Sequence, residues 1–365
     1  MEHHNCTDVD DLMKRYYLPA AYTIIFIVGL VGNVTSIGVY VAKLRPWKSS
    51  SIIMVNLALT DLLYVMSMPF LVHYYVTGDW TLGDFMCRFV RFGFHFNLYG
   101  SILFLTCLAV FRFVVVIKPL RAEQVQQKFW GIVACAAVWL IAAAEIAPML
   151  AVISLDNETQ CLDFASTEPV DDVRLYGWLL TAFGFFLPLV VVFLCYIGIV
   201  RQLARGPYMS SPYRVRARRV TVLILLVFVV CFLPYHVLRV LWIETQKRGE
   251  QVAGRPACLA ERVVHAAYII SRPLAGLNTL FNLVLYTLSG DKFRKALLSI
   301  FYWVHGLTKA KLLIRVAFIS KAGHATPNPM IDDCPQPVAP HDSCSSSMVD
   351  PEAINSSMSQ PQPCR

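Results

Sequence analysis

Residues 87–119 read CRFVRFGFHFNLYGSILFLTCLAVFRFVVVIKP. The run is long and apolar enough to cross a bilayer, yet it carries Arg91, His95 and Arg112. Arg91 and Arg112 stand 21 positions apart, which is roughly 32 Å along a helix rising about 1.5 Å per residue, or one hydrocarbon thickness. One arginine therefore lies near each membrane face of a single helix. An ionised group inside a span costs several kcal/mol unless it is paired, so such residues mark function. This reading gives Arg91 and His95 to a ligand at one end and Arg112 to a partner protein at the other.

The rest of the chain fits a polytopic membrane protein. Of its 365 residues 56% are hydrophobic and 15% charged, against about 25% charged in soluble domains. Mean hydropathy is +0.54. The net charge of +8 does not indicate nucleic acid, because the basic residues cluster in short connectors between apolar runs. The polar, acidic start MEHHNCTDVDD and the length of the first apolar run argue against a cleavable signal. Eleven cysteines in so long a chain do not make a disulfide scaffold, and several lie within spans.

Seven apolar segments recur, near 18–42, 50–75, 87–117, 129–153, 175–203, 219–243 and 262–288. The connectors after the first, third and fifth are rich in Lys and Arg, and those after the second, fourth and sixth are mixed or acidic. The positive-inside rule then puts the N-terminus outside and the C-terminus in the cytoplasm. The glycosylation sequons at Asn5 and Asn157 fall on the predicted outer side. The domain plan is an extracellular N-terminus (1–17), a seven-helix transmembrane bundle (18–288), an amphipathic helix on the inner leaflet (289–305) and a disordered cytoplasmic tail (306–365). The fold class is all-α.

Four groups of residues carry candidate chemistry. Cys87 and Cys161 share the oxidising side and are placed to staple the loop after span four over the bundle mouth. Cys6 and Cys258 are the other outer cysteines and suggest a second bridge; free thiols are the alternative. Toward the same end lie Arg91 and His95 on span three, His236 and Arg239 just beyond Pro234 on span six, and Arg272 on span seven. One arginine there would snorkel to headgroups, but three on three helices together with two histidines point to a buried small polyanion. Tyr74, Tyr75, Tyr99 and Tyr268 either line that pocket or serve as packing. Asp61, Asn97, Ser101, Asn278 and Asn282 form a polar core, joined by Asn33, that would hold either a sodium ion or a water network. At the inner end, Phe111-Arg112-Phe113 and Asn282 to Tyr286 face the cytoplasm, and the arginine-rich loop before span six suits an acidic protein surface or anionic lipid. Glu145 in span four is open between a protonated form, a paired one and a place in the pocket.

With these residues in view the chain resembles the rhodopsin-like G-protein-coupled receptors. The resemblance rests on Asn33, Leu57 to Asp61, Cys87, Phe111-Arg112-Phe113, Trp139, Pro148, Pro188 with Tyr196, Cys231 to Pro234, and Asn282 with Tyr286, and it covers about 18–304. RPWKSSSIIMVNLA, ARRVTVLILLVFVVCFLPYHVLRV and AYIISRPLAGLNTL are similar to the nucleotide-receptor branch. Arg91, His95, His236, Arg239 and Arg272 match anion-binding positions of its oxoglutarate and succinate receptors. Nucleotide receptors of the branch carry Lys or Gln where this chain has Ile269, which disfavours a triphosphate.

The resemblance implies a plasma-membrane receptor for a small dicarboxylate such as 2-oxoglutarate. It would couple mainly to the Gq class of G proteins through Arg112, Tyr196 and Tyr286. Apart from the resemblance, Ser343, Ser345, Ser346 and Ser347 in the tail are either kinase targets that recruit arrestin or a merely solvated stretch, and no cofactor is expected beyond the allosteric Na⁺ that the polar core would hold. Two departures concern basal activity: Phe111 replaces the usual acid beside Arg112, and Leu283 replaces the usual proline. The competing readings are a nucleotide or cysteinyl-leukotriene receptor and, from another class, an organic-anion transporter. No His-Glu-x-x-His or Gly-x-Ser-x-Gly motif supports an enzyme.

Overall fold

A computed structural model describes residues 12–118, 121–152, 155–156, 160–161, 163, 165, 170–205, 212–251, 255–289, 293–299 and 302. Backbone N–H and C=O groups in a bilayer have no water to turn to, so apolar runs of this length close their own hydrogen bonds as helices. Among the described residues there are seven such crossings: α1 (Leu18–Lys43), α2 (Ser49–Thr77), α3 (Gly83–Ile117), α4 (Lys128–Val152), α5 (170–205), α6 (212–251) and α7 (255–289). Six of these helices are long and apolar enough to span a membrane unaided. The seventh, α7, is divided.

The helix boundaries reflect local chemistry. A π turn, Met13–Tyr17, leads without a break into α1, and as elsewhere in the bundle the wider turn lies just ahead of a proline, Pro19, whose missing N–H takes one donor out of the ladder. Gly78 ends α2 at φ 82°, its N–H closing 2.8 Å onto the Tyr74 carbonyl, a left-handed cap that only glycine adopts without strain. α5 and α6 each widen into a π turn, Ala182–Phe186 ahead of Pro188 and Phe228–Phe232 ahead of Pro234. Proline takes a donor out of the ladder, and the wider turn re-satisfies the freed carbonyls. α7 breaks at Leu277, between Arg255–Gly276 and Asn278–Ser289, four residues after Pro273. The helices outrun the apolar segments read from sequence, most of all α6, because a helix continues into water after its apolar content has ended.

α3 is the hub and packs against α2, α4, α5 and α6. That placement explains why Arg91, His95, Asn97, Ser101 and Arg112 are all buried on it. Apolar side chains such as Leu140, Leu187 and Phe193 point outward, as lipid contact requires. Between α4 and α5, Leu155–Asp156 pairs antiparallel with Gln160–Cys161. The Cys87–Cys161 disulfide ties this hairpin to the start of α3. At the far end the helical run 293–299 buries Phe293 against Tyr40 and Tyr286 while Arg294 and Lys295 stay exposed. Cys6, Asn5, Asn157, the side chain of Cys258 and the tail beyond 302 lie outside the described residues.

Candidate functional site

The disulfide places the first element of the site. Cys161 is fixed beside Cys87, and its carbonyl accepts from Arg91 Nη2, one turn further along α3, at 2.7 Å. Two residues on, the buried Asp163 reaches into the mouth of the bundle. Its Oδ2 accepts from Arg272 Nη2 at 2.8 Å and from the Tyr268 hydroxyl at 2.5 Å, both on α7. Its Oδ1 lies 3.7 Å from Arg91 Nη1. Arg91 and Arg272 also each donate to the Tyr75 hydroxyl at 3.3 Å, and the Arg272 guanidinium stands 4.7 Å over the Tyr268 ring. Burial alone would raise the Asp163 carboxyl, but the Arg272 and Arg91 guanidiniums beside it more than offset this and hold it well below the usual carboxylate range. A cavity of about 510 Å³ opens here, lined by Arg91, Asp163 and Arg272 and rimmed by Lys14, Arg15 and His265.

A second cluster lies deeper. Arg239, wholly buried, donates to the Tyr99 hydroxyl at 2.8 Å, to Thr181 Oγ1 at 2.8 Å and to the Gly177 carbonyl at 3.3 Å. His236 stacks on Phe185 with ring centres 4.4 Å apart, and its Nδ1 is 3.5 Å from Arg239. His95 joins the two levels: its Nδ1 meets the Arg91 carbonyl at 3.0 Å and its Nε2 meets the Tyr235 hydroxyl at 3.2 Å. Tyr235 and Tyr268, ring centres 5.9 Å apart, form an aromatic partition between the levels, since Arg239 faces the first ring and Arg272 the second.

The seven candidate ligand residues thus fall into two groups. Arg91, Tyr268 and Arg272 gather around Asp163; Tyr99, His236 and Arg239 gather at the inner face of α5; His95 lies between. The three arginines do not line one open cavity, because Arg239 is turned toward α5. Asp163 is the residue that sequence reading missed. In the sequence it is one acid among several in an outer connector, and the available signal is its position two residues past a bridging cysteine. Arg91, Arg239 and Arg272 each keep a buried Nε without a hydrogen-bond partner, and so does His236 Nε2. Glu145 does not pair with Arg239. Its Oε2 is buried without a partner behind Gly184 and Tyr99.

In mid-bundle the Asp61 carboxylate accepts from Asn97 at 3.1 Å, Thr279 at 3.1 Å and Asn282 at 2.9 Å. Asn97 also reaches Ser101 at 3.4 Å, and Asn278 Oδ1 accepts from Thr279 at 3.3 Å. Asn33 stays on its own helix, donating to the Gly29 carbonyl. Thr279 is a further member that sequence reading did not single out. The oxygens Asn33 Oδ1 and Asn282 Oδ1 are buried without donors, so a small cation suits the chemistry.

At the opposite end Arg112 is buried, and its Nε has no hydrogen-bond partner. Among the described residues no acid pairs with it. Tyr286 is buried with a hydroxyl that has no partner, Tyr196 is half-buried, and Phe113 packs on Gly198.

Comparison with known proteins agrees with this layout. Residues 32–286 match the family described as 7 transmembrane receptor (rhodopsin family). The chain is 50% identical over 299 residues to 2-oxoglutarate receptor 1 of Rattus norvegicus, covering 81% of this chain and 87% of the relative. It is 49% identical over 300 residues to 2-oxoglutarate receptor 1 of Mus musculus, with 81% and 87% covered. It is 37% identical over 287 residues to a purinoceptor of Homo sapiens, covering 77% of this chain and 76% of the relative. The relatives are receptors and not enzymes. Seven crossings, a disulfide-tethered loop over the bundle mouth and a profile match through most of the helices lead to one conclusion: the chain is a multi-pass membrane protein that belongs to the rhodopsin family of seven-transmembrane receptors.

Proposed function

We propose that this receptor responds to a small dicarboxylate of the 2-oxoglutarate class, bound at the disulfide end, and signals mainly through Gq-class G proteins. The N-terminus is then extracellular and the Arg112 end cytoplasmic. The observation that carries this reading is charge balance. Three guanidiniums, Arg91, Arg239 and Arg272, are buried in the outer half of the bundle, and among the described residues one carboxylate, Asp163, is paired with them. The surplus of two positive charges is the complement of a dianion, and the partnerless Nε groups supply donors for it.

Asp163 shows how a carboxylate sits between Arg91 and Arg272. A ligand carboxylate takes or shares that seat. Its second carboxylate reaches Arg239 once Tyr235 and Tyr268 part. Drawing α6 toward α3 and α7 around a dianion bends α6 at its π turn below Pro234 and swings its inner half, so that Arg112 and Tyr196 become open to a G protein, as a population shift between two states. A sodium ion beside Asp61 would favour the state in which the polar core is closed. Arrestin and membrane lipid are further partners at the inner end.

The 510 Å³ cavity with Lys14 and Arg15 at its rim favours a second reading, a larger anion such as a nucleotide. Against it, Ile269 is fully buried and apolar where a phosphate contact would be needed. Calcium release in transfected cells, tested side by side with dicarboxylates and with uridine and adenine nucleotides, separates the two. The dicarboxylate response is expected, and Arg272→Ala is expected to abolish it at normal surface expression. A nucleotide response alone, or unchanged potency in the variant, removes the proposal.

A further inference from the structure

At the disulfide end of the bundle, α5 and α6 are joined by polar contacts that the ligand reading leaves unused. Glu244 Oε1 on α6 accepts from Arg174 Nε at 2.6 Å and from Trp178 Nε1 at 2.9 Å, both on α5. Deeper in the bundle the same two helices meet again, where Arg239 donates to the Gly177 carbonyl and to Thr181 Oγ1. Positions 174, 177, 178 and 181 recur at helical spacing, so they share one face of α5. α6 therefore grips that face with two side chains, Glu244 near its end and Arg239 five residues deeper.

Arg239 gives this contact its consequence. Its guanidinium is drawn toward α5 and Tyr99, while the seat between Arg91 and Arg272 lies across the Tyr235–Tyr268 partition. To serve a ligand in that seat, Arg239 must leave Gly177 and Thr181, and its stretch of α6 must come off α5. Glu244 opposes that movement, because the movement stretches an ion pair and a hydrogen bond together. On its other flank α6 is held to α7 by Trp242, whose ring stacks on His265 with centres 4.0 Å apart. Letting go of α5 thus leaves α6 tethered on the side where Arg272 lies. Arg174 is 41% exposed and Glu244 25%, so water and salt screen the pair, and its weight is a few-fold in an equilibrium.

We infer that Glu244 is a positioning residue for the ligand site. It clamps α6 to α5, keeps Arg239 on the far wall, and so sets how much dicarboxylate is needed before the second carboxylate gains its guanidinium. The inference rests on the dicarboxylate reading for the ligand, whereas the clamp itself is a property of the ligand-free receptor.

The test uses the full-length receptor in detergent. Equilibrium binding of radiolabelled 2-oxoglutarate should tighten about two- to fivefold in Glu244→Gln, which keeps an acceptor for Trp178 and removes the charge. Arg174→Gln should tighten it as well, whereas a plain field effect would move the two variants in opposite directions. The double variant should gain no more than either alone. The exchanged pair, Glu244→Arg with Arg174→Glu, should return most of the way to wild type, which a general structural defect would not do. Competition by the monocarboxylate 2-oxopentanoate, which needs only the Arg91–Arg272 seat, should not tighten. In the ligand-free receptor, spin labels at the exposed Leu175 of α5 and Leu241 of α6 should show a wider spread of separations in Glu244→Gln than in wild type. A receptor that binds no 2-oxoglutarate in any form would remove the dicarboxylate reading, and the spin-label separation would then decide the clamp alone. Unchanged or weaker 2-oxoglutarate binding in Glu244→Gln, equal tightening of both ligands, or an unchanged separation would overturn the inference.

Discussion

Arg272 of α7 donates to Asp163 of the disulfide-tied loop at 2.8 Å, with both side chains only 5% exposed, so the receptor carries its own carboxylate in the seat proposed for a ligand. Removing one member of a buried pair leaves the other charge uncompensated. Asp163→Asn should therefore lower the stability of the ligand-free receptor by about 3 kcal/mol. Saturating dicarboxylate should restore more stability to the variant than it adds to the wild type. Thermal shift in detergent reads both. A variant that melts like wild type, or that gains nothing from ligand, would separate Asp163 from the binding seat.

The same pair makes a statement about pH. With its carboxyl held below the ordinary value of about 3.9, Asp163 contributes stability that is fully present above that value and is lost only as pH falls through the lower folded one. The loop should stay tied down at ~pH 5, well above the unfolded value. Hydrogen exchange over 160–165, corrected for intrinsic rates, should show the same protection at ~pH 5 as at ~pH 7. Loosening within that window would mean that another group governs the loop.

Asp61 is wholly buried and hydrogen-bonded from α3 and α7. If a sodium ion is held there, agonist potency in the wild type should decline as Na⁺ replaces choline at constant ionic strength. Asp61→Asn should remove the dependence. Equal sodium sensitivity in both proteins would leave the polar core to water.

Phe111 is half-buried next to Arg112. Phe111→Asp places a carboxylate beside a guanidinium that lacks one among the described residues, and this should stabilise the closed state. Basal nucleotide exchange on a reconstituted G protein is expected to drop several-fold. A rise would show that the two side chains do not meet.

Gly276, at the end of the first half of α7, sits against Tyr64: a Cβ there would lie 2.3 Å from the Tyr64 hydroxyl oxygen. The Tyr64 ring is fully buried against Phe94 and has little room to retreat. Gly276→Ala should cost about 1–3 kcal/mol as an overpacked core substitution. Gly32→Ala makes a useful contrast, because it meets only the tip of the flexible Leu283 side chain. Melting temperatures of the two variants would rank them, and a milder Gly276→Ala would contradict the packing described.

The crossings could be read from the sequence because burial in lipid leaves long apolar runs. Arg91, His95, Arg239 and Arg272 could be read for the reverse reason, since charge is rare in such runs. Asp163 could not, because in a connector an acid is ordinary, and only the tether at Cys161 brings it under the mouth. Nor could the separation of Arg239 from Arg272 be read. Helical phase puts both toward the interior, but which wall each guanidinium reaches depends on Tyr99, Thr181 and the Tyr235–Tyr268 partition. The break at Leu277 shows a similar limit, since the sequence offers Pro273 but not the residue at which the helix parts.

The widened turn at Phe228–Phe232 has one more implication, for tolerance to deletion. A π turn holds a surplus residue relative to an ordinary helical turn. Losing one codon within 228–232 would restore an ordinary turn and leave Arg239 pointing at Tyr99. Losing one between 233 and 238 leaves the wide turn in place and would turn Arg239 by about 100°, into the half-buried position that Leu238 now holds.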